Sequence, residues 1–119
     1  DDNSSAAHNN LANLYNQINQ NKAEHHYLKV LELCPDDPMP YINISNYYLK
    51  NTKYKKCVKT LEDALNKELR AKELLNNLGI AYLATKENEK SKSMFEEALK
   101  IDPSYKPALD NLSNLEKID

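Results

Sequence analysis

The sequence has little of what builds strands, crosslinks or metal sites. It holds one glycine and two cysteines in 119 residues, and it shows no alternating polar and apolar run. Without that alternation, the pattern favours an all-α chain. Cys34 and Cys57 are too few for a disulfide framework and lack metal-ligand spacing, so we expect no metal or other cofactor. We interpret Cys57 as an inert packed thiol, which suits a reducing compartment.

Charge of one sign and long apolar runs are also lacking. The 16 basic and 18 acidic residues are mixed along the chain and give a net charge of −2, which argues against nucleic-acid or anionic-membrane partners. No run approaches the ~18 apolar residues of a membrane span, and no segment resembles a signal peptide. We therefore expect a cytoplasmic or nuclear protein. Because the chain begins at Asp1 without a methionine, we expect it to be an excerpt of a longer protein.

The chain does have an internal repeat, whose period is about 34 residues. Its third copy carries a pattern of fixed spacing, namely Leu78, Gly79, Tyr82, Ser91, Phe95, Ala98 and Pro103. One period earlier, most positions keep their character, as in Ile44, Ser45, Tyr48, Cys57, Leu61, Ala64 and Leu69. The first copy repeats them as Leu11, Ala12, Tyr15, Ala23, Tyr27, Val30 and Pro35. Leu11, Ala12 and Tyr15 precede their counterparts in the second copy by one residue less than the period, whereas the later positions keep the full period. One residue is therefore missing from the first copy, in the turn at 19–22.

This pattern resembles the tetratricopeptide repeat family. The resemblance implies an all-α solenoid of three helix-turn-helix repeats with a C-terminal capping helix, wound as a right-handed superhelix. We place the repeats at about 5–37, 38–71 and 72–105, and the capping helix at about 106–118, within a single domain. Leu69 departs from the family, because Pro35 and Pro103 stand at the equivalent positions. We therefore expect a longer, less sharply stopped helix there.

Small residues recur where helices of neighbouring repeats are expected to approach closely. They are Ala12, Ser45, Gly79 and Ser113 on first helices and Ala23, Cys57 and Ser91 on second helices. A larger side chain at such a position would overpack the core and cost roughly 1–3 kcal/mol.

Asparagines are concentrated on the first helices, which the resemblance implies line a concave groove for peptide segments of other proteins. Eight groove positions hold seven asparagines, namely Asn10, Asn13, Asn43, Asn46, Asn77, Ile80, Asn111 and Asn114. Residues three apart share a helix face, and an amide both donates and accepts hydrogen bonds. This ladder predicts binding of a peptide backbone, as implied by a similar ladder in the O-linked N-acetylglucosamine transferase. The alternative is that the asparagines only brace adjacent helices.

Another task in this family is clamping the carboxylate tail of heat-shock chaperones with two asparagines and three basic residues. Asn13 and Asn43 match the asparagines, but Asn9, Glu73 and Asn77 occupy the basic positions. Since Glu73 would repel a carboxylate, we expect chaperone tails not to be partners.

The sequence shows no catalytic arrangement. His25 and His26 are neighbours on one helix and cannot form an i, i+4 metal pair, while His8 is expected to be a half-buried spacer. No nucleophile elbow or phosphate loop is present. The tyrosines occupy framework positions, so no stacking platform for nucleic-acid bases remains. We expect no enzymatic activity in this chain.

Three functions stay open at this point. The first is an adaptor that binds a protein or peptide partner. The second is an assembly scaffold that self-associates through its terminal helices. The third is the substrate-recognition arm of a larger enzyme such as an O-GlcNAc transferase-like protein.

A run of basic residues lies near the middle of the chain, and it comprises Lys50, Lys53, Lys55, Lys56 and Lys59. It is either a solvated edge or a docking site for an acidic partner.

Overall fold

The computed structural model describes residues 5–18 and 20–118, with the side chains of residues 6, 13–21 and 118 outside the described part. The described residues form seven α-helices and no strand. The helices are α1 (Ser5–Ile18), α2 (Gln20–Leu33), α3 (Pro38–Lys50), α4 (Tyr54–Asn66), α5 (Lys72–Ala84), α6 (Asn88–Ile101) and α7 (Lys106–Ile118). Each packs against the next, and α5 also packs against α3 and α7. The chain is thus an all-α solenoid of helical repeats.

The start of α3 is set by a cap and a proline. The Asp37 side chain accepts a 3.0 Å hydrogen bond from the Met39 backbone N–H, and Pro38 takes the first helical position. Both residues suit a helix N-terminus, because the first-turn N–H groups have no partner within the helix.

The α4 helix ends sharply, so the expectation of a longer helix near Leu69 is wrong. Glu68 adopts a left-handed backbone conformation with φ of 63°. The Leu69 N–H then donates to the Ala64 carbonyl (3.0 Å) and the Glu68 N–H to the Leu65 carbonyl (2.8 Å). This pair of bonds is the Schellman motif, which ends a helix without a proline.

The same motif ends α3 and α5. Thr52 and Lys86 have φ of 58° and 66°. The following N–H groups, of Lys53 and Glu87, donate 2.8 Å hydrogen bonds back to the carbonyls of Tyr48 and Tyr82 respectively. Three turns of the solenoid therefore use a left-handed residue with a side chain, where glycine would be the easiest choice.

The residue predicted to be lost from the first repeat falls in the turn at 19–22, and Asn19 of that turn lies outside the described residues.

Small residues sit at the tightest helix contacts. Ala12, Ser45, Gly79 and Ser91 are all buried. The Ser91 hydroxyl donates a 2.7 Å hydrogen bond to the Gly79 carbonyl, which joins α6 to α5. Ser113 was expected to be a close contact but is exposed, because no described helix covers that side of α7.

Candidate functional site

We refer to the eight predicted groove positions on α1, α3, α5 and α7 together as the amide face. Its members differ in exposure. The exposed ones are Asn10, Asn46 and Asn114, the half-buried ones are Asn43, Ile80 and Asn111, and Asn77 is buried. The side chain of Asn13 lies outside the described residues.

Asn77 joins α5 to α3. Its Nδ2 donates two hydrogen bonds of 2.8 Å, to Ser45 Oγ and to Asn46 Oδ1. Ser45 Oγ in turn donates to the Ile42 carbonyl at 2.8 Å. Because both N–H groups of Asn77 are used and only 8% of the residue is exposed, this amide acts as a brace between helices.

A second amide pair joins α7 to α5. Asn111 Nδ2 donates a 3.0 Å hydrogen bond to Oδ1 of Asn76, which is 5% exposed. Asn76 was not among the predicted site residues. The repeat pattern does not predict it, because the equivalent positions hold different residue types, namely Asn9, Ile42 and Asp110.

Other amides of this face have unused hydrogen-bonding groups. Within the described part of the chain, the Asn43 side chain makes no hydrogen bond. Asn46 is exposed and uses only its Oδ1, so its Nδ2 can donate to a ligand. Ile80 adds a half-buried apolar side chain on α5. The amide face thus combines amides that bond neighbouring helices with amides whose hydrogen-bonding groups are unused within the described residues.

The recurrent tyrosine of the repeat has a structural role at the edge of the stack. The Tyr48 hydroxyl donates to Glu24 (2.9 Å), which also accepts from Lys53 and Lys56 (3.2 and 3.0 Å). Burial and then the hydrogen bond to Glu24 raise the pKa of Tyr48. The phenol therefore stays protonated at neutral pH and ties α3 to α2.

Two histidines meet across the first helix pair, which the sequence did not predict. The Nδ1 atoms of His8 and His26 are 2.9 Å apart, and their ring centroids are separated by 5.1 Å. One of the two nitrogens must carry the proton and the other accept it, so the contact requires a neutral acceptor ring. Burial, followed by the charges of His8, His25 and Lys22, lowers the pKa of His26. His8 is thus a hydrogen-bonding partner and not only a spacer.

The described residues contain no group of three or more His, Cys, Asp or Glu side chains arranged to hold a metal ion. Cys57 is confirmed as a packed thiol, because it is buried and burial raises its pKa to about 12. Among the described helices, none combines the length and apolar character needed to cross a membrane.

A cavity lies at the rim of the solenoid, between the α3–α4 turn and the end of α5. Its volume is about 520 Å³. We call it the rim cavity, and it is lined by Thr52, Lys53, Tyr54, Lys55, Lys56, Ala84 and Thr85.

Part of the chain matches a family model, and most of it aligns with a short part of a curated protein. A family model described as tetratricopeptide repeat matches residues 72–105. The human protein O-mannosyl-transferase TMTC3 is 33% identical over 105 residues, which cover 86% of this chain. The chain spans only 12% of the length of that relative.

Solved structures share the fold. The first TPR domain of human RPAP3 superposes with a TM-score of 0.84 at 19% identity, covering 95% of this chain and 90% of that one. The first TPR of Spaghetti (RPAP3), bound to the HSP90 peptide SRMEEVD, gives a TM-score of 0.86 at 19% identity. That match covers 99% of this chain and 94% of the other.

Proposed function

We propose that this chain, which belongs to the tetratricopeptide repeat family, is a protein-interaction module that holds an extended peptide segment of a partner on its amide face. The observation that carries the proposal is the unused hydrogen-bonding capacity of the Asn43 side chain. It is half-buried and makes no hydrogen bond within the described part of the chain. Exposed Asn46 lies three residues further along the same helix, so the two amides share one side of α3.

The fixed amides support this role by holding the helices in register. Asn77 connects α3 to α5, and Asn111 connects α5 to α7 through Asn76. Adjacent helices lie roughly 8–10 Å apart, and an extended peptide advances ~3.3 Å per residue. A peptide crossing the face would therefore meet one helix about every three residues.

Amide contacts alone are too weak for a stable complex. Each hydrogen bond contributes a net ~0.5–1.5 kcal/mol, whereas micromolar binding needs about 8 kcal/mol. Ile80 is the described apolar side chain placed to add contact area on this face. We expect the partner segment to carry an apolar residue opposite it.

We further propose that chaperone tails are not the partners of this chain, although the Spaghetti structure holds an HSP90 peptide. Glu73 is exposed in the first turn of α5, and both N–H groups of Asn77 are already used. A tail carboxylate placed there would meet a like charge and an occupied amide.

The test begins with selection of random 12-residue peptides against the immobilised chain. The affinity of a selected peptide is then measured by calorimetry for wild type, Asn43→Ala and the matched control Asn88→Ala, an exposed asparagine on α6. We expect Asn43→Ala to weaken binding about 3- to 10-fold and Asn88→Ala to leave it unchanged. Equal affinities for all three proteins would refute the proposal.

A second candidate is the substrate-recognition arm of a larger enzyme. It is favoured by the match to a protein named as an O-mannosyl-transferase, of which this chain spans 12%. Sequencing the full-length gene tests it. A glycosyltransferase domain in the same open reading frame would support it, and its absence would exclude it.

A further inference from the structure

We propose that the rim cavity is a second binding site, which takes an acidic peptide segment bearing one bulky apolar side chain. This site lies on the turn between α3 and α4 and does not depend on the asparagines of the amide face. Its volume of about 520 Å³ is that of a ligand pocket, since such pockets measure roughly 300–1,000 Å³.

The walls of the cavity supply apolar contacts. Tyr54 begins α4 and Ala84 ends α5, and both line the cavity. Thr52, in its left-handed conformation, turns the chain between α3 and α4. An aromatic or aliphatic side chain of a partner would therefore contact a phenol ring, a methyl group and the stems of lysines.

The charge around the cavity selects an acidic segment. Residues 50–59 hold five lysines and neither aspartate nor glutamate, in a chain whose net charge is −2. Glu24 forms salt bridges with Lys53 (3.2 Å) and Lys56 (3.0 Å) and thereby fixes them beside the cavity. In the part of the chain that the structure describes, Lys55 is exposed and forms no salt bridge.

The opposite wall does not cancel this charge. Thr85 donates a 3.0 Å hydrogen bond to Glu87, whose carboxylate is paired with Lys90 at 3.4 Å. Three lysines line the cavity, and Glu24 pairs with two of them, Lys53 and Lys56, so positive charge remains in excess there. Carboxylates of a bound peptide would complement this excess and also accelerate association at low salt.

A peptide fits this surface better than a nucleic acid. Single-stranded nucleic acids bind through rows of aromatic side chains on which bases stack. Among the described tyrosines, Tyr54 is the ring that lines the cavity; Tyr105 is half-buried elsewhere, and the buried ones are Tyr27, Tyr41, Tyr47, Tyr48 and Tyr82. A single half-buried ring can contact one side chain but cannot form a stacking row.

The experiment uses the ¹⁵N-labelled chain titrated with a synthetic peptide that carries one central phenylalanine flanked by glutamates. We expect amide shifts at residues 52–56 and 84–85. We expect the dissociation constant to rise about fivefold or more in Lys55→Glu, whereas the exposed control Lys92→Glu on α6 leaves it unchanged. Replacing the central phenylalanine by alanine should weaken binding similarly.

Three results would overturn the proposal. They are unchanged affinity in Lys55→Glu, equal binding of the alanine peptide, and tighter binding of oligothymidylate than of the acidic peptide. Asn43→Ala serves as the reference for the amide face. If it leaves the titration unchanged while Lys55→Glu weakens it, the two sites are independent.

Discussion

A Cβ atom added to Gly79 would lie 2.5 Å from Cε1 of Phe95. Phe95 is fully buried, so its ring cannot move out of the contact without disturbing the core. The only glycine of the chain therefore serves helix packing between α5 and α6 and not a turn.

The first prediction concerns this contact. Gly79→Ala should lower the free energy of unfolding by about 1–3 kcal/mol from overpacking, partly offset by the better helix propensity of alanine. Urea denaturation of Gly79→Ala measures the loss. In a chain that also carries Phe95→Leu, Gly79→Ala should cost less free energy of unfolding. If the losses caused by the two substitutions simply add, the packing account is contradicted.

The second prediction concerns the left-handed turn that ends α4. Glu68→Gly should raise the free energy of unfolding by about 1 kcal/mol, because a residue with a Cβ is strained at φ of 63°. Arg70 is exposed and has no positive φ, so Arg70→Gly is the matched control and should give no gain. Thermal melts of both variants measure the change in stability, and a lower melting temperature in Glu68→Gly would contradict the interpretation.

The third prediction concerns pH and the His8–His26 contact. The folded state favours neutral His26, so it binds fewer protons than the unfolded state near pH 6. This contribution to stability is fully present above about pH 6.5 and is lost as the pH falls through the lowered pKa of the folded state. The melting temperature should therefore fall between pH 7.5 and 5.5.

Histidine variants identify the source of that fall. His26→Gln removes the titrating ring and should show a smaller decrease in melting temperature than wild type over the same range. His25→Gln changes the exposed neighbour and should retain the wild-type decrease. An equal decrease in wild type and both variants would rule out the histidine pair as its cause.

The fourth prediction separates the two kinds of amide. Asn77→Ala removes the donor to Ser45 and Asn46 and should cost about 1–3 kcal/mol of stability. Asn43→Ala breaks no hydrogen bond within the described residues and should change stability by less than about 0.5 kcal/mol. Chemical denaturation of the two variants gives the comparison, and similar losses in both would show that Asn43 is also a brace.

The sequence predicted the helices well and the contacts between side chains less well. The internal repeat located the buried positions of Leu78, Phe95 and Ala98, because burial follows helical periodicity. It did not predict the end of α4, since a left-handed Glu68 leaves no mark comparable to a proline. Periodicity also missed Asn76, whose partner lies 35 residues away on another helix.

For the asparagine ladder too, the sequence predicted positions but not side-chain contacts. The sequence placed asparagines on the first helices but could not tell which of them bind neighbouring helices. That distinction depends on the relative shift of two packed helices, which brings Asn77 beside Asn46. No property of either residue alone predicts that contact.

The central claim is that open amides of this chain hold the backbone of a peptide. It is tested most directly by calorimetry of a selected peptide whose peptide bonds are N-methylated one at a time, against wild type and Asn43→Ala. We predict one bond whose methylation weakens binding to wild type about 3- to 10-fold and has no further effect on Asn43→Ala. Additive losses at every bond, or no loss at any bond, would contradict the account.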